Sequence, residues 1–314
     1  FNMSYIFIIF ALIVFIVIIN KLFKNTNFYK NKFIDTHKFK DIPRNLDIVN
    51  LGSNQPKFAF DYSKSNILGM NWGVGPQSFE YDFRILKFFH KYLKPNSKVI
   101  ISICPFSFLF LEDKNKIAHH KYYNFLDSNF IDNYSNITKK LYIDYPIITA
   151  KKQIFRIIKD TKPDTRLELE ENPMSKDEIK KDALNWMNGW KKQFGINHLE
   201  NIVLSEENKI NIEKNIHILK NMIDFCIEKN IQPVLTIIPV TKELSKHFPD
   251  KFVQEQIIDY INKANDKNVK FTEKMAMNMY YYGYLFALAP TVLIYPKLVS
   301  KLKTVLNLIG NQTS

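Results

Sequence analysis

The chain has 314 residues, of which 46% are hydrophobic and 24% are charged, and this balance excludes a disordered or a fibrous protein. Lysine and arginine outnumber aspartate and glutamate by 44 to 31, which gives a formal net charge of +13. Nucleic-acid readers cluster their basic residues and use arginine for base contacts, whereas here lysine is spread along the whole chain. We therefore expect no nucleic-acid partner, and the charge remains compatible with an anionic membrane or polymer.

Two cysteines, Cys104 and Cys226, are too few for a disulfide-dense scaffold or a cysteine-based zinc site. Both are predicted to be buried free thiols. No spacing of His, Cys and Asp indicates a metal site, and the Gly73-Val74-Gly75 sequence lacks the Lys-Ser/Thr pair of a nucleotide loop. The sequence predicts neither a metal nor another cofactor.

The N-terminal segment, residues 1–20, carries no charged side chain. About twenty apolar residues suffice for a helix to cross a bilayer. A signal peptide would have a basic start and a small-residue cleavage site, and both are missing. We expect an uncleaved single-pass anchor at residues 1–20 and a basic linker at residues 21–46. The linker lysines alone would place the next domain in the cytoplasm.

The next segment follows a strand–helix–strand pattern. Residues 47–51 and 66–72 are predicted as short strands, and residues 98–104 (KVIISIC) as a buried strand. Pro76 opens a helix between the last two strands. The apolar positions expected on one face of this helix are Phe79, Phe83, Leu86, His90 and Leu93. This pattern predicts a parallel α/β sheet.

The middle of the chain, residues 105–208, is interpreted as helices and loops inserted in the same domain, with an exposed loop at residues 163–175. A helical stripe over residues 212–226 and a strand at residues 232–238 then form a second helix–strand unit. The predicted α/β domain therefore covers residues 47–270.

The tail, residues 271–314, differs in composition, because residues 275–296 are uncharged and no acidic residue follows Glu273. Two interpretations of residues 275–296 stay open: a second membrane segment, or a buried segment of the globular domain. If the segment spans the membrane, the lysines after it mark the cytoplasmic end, and the main domain lies outside.

A Gly-Ser turn, Gly52-Ser53, follows the first predicted strand. Sites in open α/β sheets form at the carboxyl ends of strands. A serine there can present its hydroxyl to a base and its backbone N–H to an oxyanion. Ser53 is therefore a candidate nucleophile.

Four stretches resemble the SGNH/GDSL hydrolase superfamily, in its branch of membrane-anchored bacterial envelope proteins found with capsule or teichoic-acid pathways. They are NLGSNQPKFAFDYS (50–63), GMNWGVGPQSFEYDFRILKFFHKYL (69–93), KVIISICPFSF (98–108) and NMIDFCIEKNIQPVLTIIPVTKEL (221–244). The lipoteichoic acid D-alanyl transfer proteins are distant relatives of this branch. The resemblance implies a flavodoxin-like three-layer α/β/α sandwich with a parallel sheet, acting on an acyl ester without a metal.

The chain departs from that family at two places. Asn54 stands where the family has its nucleophilic serine, and Ser53 occupies the preceding place. The family's terminal Asp-x-x-His pair is also missing, since the last histidine is His247. His247 is the candidate substitute base, and the His119-His120 pair is expected to be solvated.

The oxyanion elements of the family match the loop after the second predicted strand. The resemblance implies that Gly69, Asn71 and Gln77, together with Asn54, line the pocket, while turn and N-cap roles are the alternative for Asn71 and Gln77.

Two functions follow from the sequence. One is an SGNH-like esterase or acyltransferase acting on acyl esters of an envelope polysaccharide. The alternative is a catalytically degenerate SGNH-fold protein that binds a glycan or a membrane partner in envelope assembly. A third interpretation is that a reading-frame change near residue 270 replaced a normal catalytic tail. In either function we expect the bacterial membrane as a partner and the main domain outside the cytoplasm.

Overall fold

The computed structural model describes residues 3–30, 36–60, 62, 66–113, 117–159, 175–238 and 240–272. Within these ranges the chain forms two compact units. One comprises Phe1–Asp41 and Asp113–Asp164, and the other comprises Ile42–Glu112 and Thr165–Ser314. We call them the anchor unit and the sheet unit. Residues 113–164, which the sequence analysis placed in the sheet domain, thus group with the N-terminal segment.

The anchor unit begins with helix α1, Met3–Asn25. Its stretch Tyr5–Asn25 has a mean hydropathy of 3.0 and is long and apolar enough to cross a membrane. The helix continues five residues beyond the predicted anchor, because Phe23 at its end is fully buried in a cluster with Tyr29, Ile147 and Ala150. Short turns of helix make up most of the rest of the unit. They are His37–Phe39, Ile117–Asn124, Ser128–Phe130, Asn136–Lys139, Lys140–Asp144, Pro146–Ile148 and Lys151–Ile157.

The sheet unit is built on five parallel strands. They are β1 (Leu46–Asn50), β2 (Gly69–Asn71), β3 (Leu93–Ile103), β4 (Gln232–Ile237) and β5 (Phe271–Thr272). Their spatial order is β2-β1-β3-β4-β5, one of the common orders of doubly wound α/β sheets. The central strands are buried on both faces, which explains their continuous apolar sequences. The predicted parallel α/β sheet is confirmed.

Four helices of the sheet unit receive labels: α2 (Asn54–Ala59), α3 (Phe79–Phe89), α4 (Lys176–Phe194) and α5 (Glu206–Glu228). Ser175 and Glu178 form a capping box at the start of α4, and the Ser205 hydroxyl caps α5 by accepting the N–H of Asn208. The remaining turns of helix are His90–Tyr92, Lys242–Ser245, Asp250–Val253, Gln254–Ile258 and Asp259–Ala264.

The buried face of α3 agrees only in part with the predicted one. Ile85 and Leu86 are fully buried, whereas Phe83 and His90 are only half-buried. Both half-buried rings contact Phe225 of α5 edge-on, at centroid distances of 5.8 and 5.3 Å. Of the predicted stripe, Phe79 and Leu86 therefore lie on the buried face, whereas Phe83 and His90 lie on the flank of α3 that contacts α5.

The other predicted elements agree in type with the structure and differ at their ends. The second strand is shorter than residues 66–72, and the buried strand predicted at residues 98–104 begins at Leu93. The helix predicted over residues 212–226 runs over Glu206–Glu228. Residues 163–174 of the predicted loop and all of residues 275–296 lie outside the described residues.

Candidate functional site

The candidate site lies at the carboxyl ends of β1 and β3, which are neighbours in the sheet. The chain leaves β1 towards β2 on one side and leaves β3 towards β4 on the other. Ligands of doubly wound sheets bind in the crevice at such a switch of direction. The turn at Gly52, Ser53 and Asn54 follows β1, and Cys104 follows β3, so both predicted features flank this crevice.

The turn requires glycine at position 52. Gly52 has φ +124°, and a Cβ atom there would lie 2.5 Å from Cγ of Pro56 and 3.1 Å from Cβ of Ser102. Because there is no side chain, α2 can start directly against β3. The backbone N–H of Gly52 donates to Oδ1 of Asp82 over 2.8 Å, so a buried carboxylate stabilises the turn through a hydrogen bond.

Ser53 precedes the first residue of α2 and is half-buried. Its hydroxyl accepts the backbone N–H of Gln77 over 3.0 Å. Among the described residues, no histidine or carboxylate forms a hydrogen bond with this hydroxyl. An ester-cleaving serine needs a base within hydrogen-bond reach. In this arrangement the Ser53 hydroxyl contacts backbone instead.

Asn54 is the first residue of α2, and its side chain is half-buried. Its amide oxygen covers Gly75, since a Cβ atom on Gly75 would lie 1.6 Å from it. Within the described part of the chain, the Asn54 amide forms no hydrogen bond with another side chain or with backbone. A neutral group that can both donate and accept therefore lies at the start of α2.

The Asn71 amide is fully engaged with protein groups. Its oxygen accepts from Nδ2 of Asn50 and from the N–H of Gly73, each over 2.9 Å. Its nitrogen donates to three carbonyl groups at the end of α2. These belong to Pro56, Lys57 and Phe60, at 3.1, 2.9 and 2.8 Å. The two amide hydrogens thus fix orphan carbonyls of a helix end, and none is left to bind an oxyanion in this conformation.

Gly69 has a packing role at the start of β2. A Cβ atom there would lie 2.5 Å from the Tyr62 ring and 2.9 Å from Cγ2 of Ile48. Its absence lets the Tyr62 ring lie directly on the strand. The structure therefore places Gly69, at the start of β2, beside the core cluster of Ile48. Ser53 and Asn54 instead follow the carboxyl end of β1.

Asp82 is the site residue that the sequence analysis missed. It is 2% exposed, accepts the Gly52 N–H, and also accepts Nε2 of Gln77 in a short hydrogen bond. Gln77 is itself buried and contacts the carbonyl of Gly52 over 3.4 Å. Asp82 lies three residues after Phe79 and four before Leu86, so a carboxylate on an apolar helix face was the signal that could have revealed it.

Cys104 joins the two sides of the crevice. Its thiol donates to Oε1 of Gln55 over 3.1 Å, and its backbone N–H donates to the hydroxyl of Ser107. Burial raises the pKa of the Cys104 thiol to about 12, and the nearby negative charge of Asp82 acts in the same direction. The predicted buried free thiol is confirmed for Cys104 and for Cys226. Both thiols stay protonated near neutral pH, so neither is a nucleophile.

Several buried polar atoms around Gly52 have no hydrogen-bond partner within the described residues. They are Oγ of Ser102, Oε1 of Gln77 and Oδ1 of Asn50. These three residues are 2%, 4% and 0% exposed. Buried polar atoms are normally hydrogen-bonded to protein or ordered water. The carboxyl edge of β1 and β3 therefore offers unused neutral hydrogen-bonding capacity.

Within the described residues, no histidine forms a hydrogen bond with Ser53 or Asn54. His247 follows the turn Lys242–Ser245, is half-buried, and donates its backbone N–H to the carbonyl of Leu244, with no contact to Ser53. His119 belongs to the anchor unit and is 1% exposed, so the expectation of a solvated pair was wrong for this residue. Burial lowers the pKa of His119 to about 4. Within the described ranges, no cluster of His, Cys, Asp and Glu is arranged to hold a metal.

A second concave surface lies elsewhere in the sheet unit. It is a groove of about 350 Å³ at the start of β4, lined by residues that include Ile227, Asn230, Pro233 and Lys270. This groove is at the amino end of the strand, whereas ligands of open α/β sheets bind at the carboxyl ends. The candidate site therefore stays at the ends of β1 and β3.

Models of known protein families give no match to this chain, and its sequence matches no curated protein.

Proposed function

We propose that this chain is a membrane-anchored α/β protein that binds an acylated sugar of a cell-envelope polysaccharide and does not cleave its ester. The proposed site is the carboxyl edge of β1 and β3, around Gly52, Ser53 and Asn54. The residue that carries the proposal is Asn54, an amide without acid–base chemistry at the first position of α2, where the resembled family has its nucleophilic serine. The neighbouring Ser53 hydroxyl accepts the backbone N–H of Gln77.

The chemistry of the surrounding groups supports a neutral polar ligand. The Asn54 amide and the Ser102 hydroxyl can both donate and accept, and the amide oxygens of Gln77 and Asn50 can accept from hydroxyl groups. The one buried carboxylate of the site, Asp82, is already bound by Gly52 and Gln77. Sugar hydroxyls and ester carbonyls fit such groups better than a charged ligand does.

The strand order supports the finer prediction of a flavodoxin-like three-layer α/β/α sandwich, since 2-1-3-4-5 is the order of that fold. Together with the quoted stretches, it supports relationship to the SGNH superfamily in a catalytically degenerate form.

The test combines hydrolysis and binding. Purified full-length protein is assayed with p-nitrophenyl acetate, and its binding to acetylated xylan oligosaccharides is measured by calorimetry. We expect hydrolysis at background, and binding that is lost when the oligosaccharides are deacetylated with alkali. Asn54→Ala should weaken binding about tenfold, the value of one good hydrogen bond, whereas the matched surface variant Asn197→Ala should not.

The second candidate function, an SGNH-like esterase or acyltransferase, is favoured by one observation. Ser53 is half-buried and lies on the Gly-Ser turn at the end of β1. Hydrolysis well above background that Ser53→Ala abolishes would establish this function and refute the binding-only proposal. Asn54→Ser alone should restore little activity, because no histidine contacts this turn within the described residues.

We further propose that α1 spans the bacterial membrane and that the sheet unit lies outside the cytoplasm. Val203 offers a test, because it is 84% exposed while both native cysteines are buried. A Val203→Cys variant should react with a membrane-impermeant maleimide in intact cells. Reaction only after the cells are permeabilised would place the unit inside and refute this topology.

A further inference from the structure

Residues 145–158 of the anchor unit carry an exposed apolar surface. Its members are Tyr145 (38% exposed), Ile148 (43%), Ile154 (47%), Phe155 (47%) and Ile158 (91%). We call these five side chains the 145–158 patch. Single exposed apolar residues are ordinary, but a concentration of them within fourteen residues indicates a surface that binds a protein or a membrane.

The segment that carries the patch is fastened to the end of α1. Nδ2 of Asn20 donates to the carbonyl of Asp144 over 2.8 Å, and Nζ of Lys24 donates to the carbonyl of Ile143 over 3.2 Å. Ile147, between two members of the patch, is buried in the cluster of Phe23 and Tyr29. The position of the patch along α1 is therefore fixed by hydrogen bonds and by packing.

That position corresponds to the boundary of a bilayer. The uncharged part of α1, residues 3–20, has 18 residues and is about 27 Å long at 1.5 Å per residue, close to the roughly 30 Å thickness of a hydrocarbon core. Residues 5–18 are exposed along this stretch, and residues 19, 20 and 23 are the ones that pack against the segment. The segment thus packs against the helix at the end of its uncharged part, where the helix leaves the hydrocarbon.

The charges beside the patch match lipid headgroups. Residues 143–159 include three lysines and one arginine but only one acidic residue, Asp144. Lys151, Lys152 and Lys159 are exposed, as is Lys21 on α1. Basic residues at this level are attracted to anionic lipids, and aromatic residues such as Tyr145 and Phe155 favour the interface.

We propose that the 145–158 patch lies in the headgroup layer of an anionic bilayer, with its apolar side chains inserted and its lysines on lipid phosphates. This inference rests on the proposed membrane span of α1. The patch is a second membrane contact beside that span, and it fixes the orientation of the anchor unit on the membrane.

The test uses single labelled cysteines in the full-length protein, because both native thiols are buried. An environment-sensitive fluorophore is attached to Ile154→Cys, Ile158→Cys, Leu12→Cys or Ile137→Cys, each at an exposed side chain. The protein is reconstituted in vesicles of phosphatidylcholine and phosphatidylglycerol in equal parts. Lipids with a quencher near the headgroup or at the bilayer centre then report the depth of each label.

We expect Leu12 to be quenched from the bilayer centre, Ile154 and Ile158 from the headgroup level, and Ile137 from neither. Leu12 without quenching would refute the membrane span itself. Quenching at Leu12 with none at Ile154 and Ile158 would overturn this inference alone. Equal headgroup quenching at Ile137 would also overturn it, because the contact would then not belong to the patch.

The charge contribution has its own comparison. Replacing Lys151 and Lys152 by Gln in the Ile154→Cys protein should reduce headgroup quenching at least twofold in the mixed vesicles, and should leave it unchanged in pure phosphatidylcholine. Equal quenching of the parent protein in both vesicles would overturn the preference for anionic lipid.

Discussion

The sheet unit and the anchor unit bury their side chains by different means. In the sheet unit, long regular elements cover one another: α3 and α5 pack together, and the strands behind them are buried on both faces. In the anchor unit beyond α1, short turns meet through rings, as in the stacked pairs Phe39–Phe125 at 4.2 Å and Tyr123–Tyr134 at 4.9 Å. Regular elements repeat a sequence period, whereas ring pairs need only two residues brought together by the fold.

This difference predicts how each unit responds to damage. A regular core loses stability wherever a large side chain is removed from a helix face. The stability of a set of turns that is joined by aromatic rings and buried polar groups depends instead on the protonation and hydrogen bonding of those groups. The two kinds of response can be measured separately, because all three tryptophans, Trp72, Trp186 and Trp190, belong to the sheet unit.

The largest effect is expected from Leu219→Ala in α5. Leu219 is fully buried, and removing such a side chain costs about 2–5 kcal/mol through lost burial and a residual cavity. Denaturation in guanidinium chloride followed by tryptophan fluorescence reports the sheet unit. On the same helix, Ile210 is 67% exposed, so Ile210→Ala should change stability by less than about 0.5 kcal/mol. Equal losses from the two variants would contradict the packing described for α5.

The next effect concerns the anchor unit and depends on pH. Burial lowers the pKa of His119 from 6.5 to about 4, so the His119 side chain is a neutral imidazole in the folded unit. When the pH falls through 6.5 the unfolded chain takes up a proton and the folded one does not, and stability is lost down to about pH 4. The loss is roughly 2–3 kcal/mol.

Hydrogen exchange of the amides in Ile117–Asn124, corrected for the intrinsic effect of pH, measures this loss. His119→Phe keeps a ring against Tyr122, whose centroid is 5.4 Å away, and should remove most of the dependence. If the variant retained the full dependence, its origin would lie in another group, and His120 is the nearest alternative because burial lowers its pKa too.

The two units also differ in how far the sequence predicts them. β1, α3, β3, α5 and β4 follow from apolar runs and helical spacing, and their parallel arrangement follows from the alternation of strands and helices. The turns of residues 117–157 carry no such period. His119 illustrates the limit: a His-His pair in a polar sequence suggests solvent, and only tertiary packing buries it.

At the candidate site, the Gly52-Ser53 turn was predictable because a glycine between a strand and a helix signals a tight connection. The partners of that turn were not. Gln77 reaches it from a loop 25 residues further along the sequence, and Asp82 reaches it from α3, 30 residues further along. The engagement of the Asn71 amide with three carbonyls of α2 likewise depends on how β2 lies against that helix.

A smaller effect tests the turn itself. Gly52→Ala introduces a side chain at φ +124° and against Pro56, a strain of about 1–3 kcal/mol. Gly189 in α4 is the matched control, because a Cβ atom there meets nothing within 4 Å. Gly189→Ala should stabilise by about 0.5–1 kcal/mol through its better helix propensity. The same denaturation experiment compares the two, and a neutral Gly52→Ala would show that the turn does not need glycine.

The smallest effect tests how firmly α1 is joined to the turns of its own unit. Asn20 is 7% exposed at the end of the apolar run of α1. Its amide nitrogen donates to the carbonyl of Asp144, and its amide oxygen accepts the N–H of Ile147. Asn20→Leu keeps the helix apolar but leaves these backbone groups unpaired, at a cost of about 1 kcal/mol. Hydrogen exchange at Ile147 should therefore be about fivefold faster in the variant, and unchanged in Asn25→Leu, where the replaced side chain is exposed. If exchange at Ile147 did not change, packing around Phe23 alone would hold the segment against α1. The hydrogen bonds of the buried Asn20 amide would then contribute little to the stability of this unit.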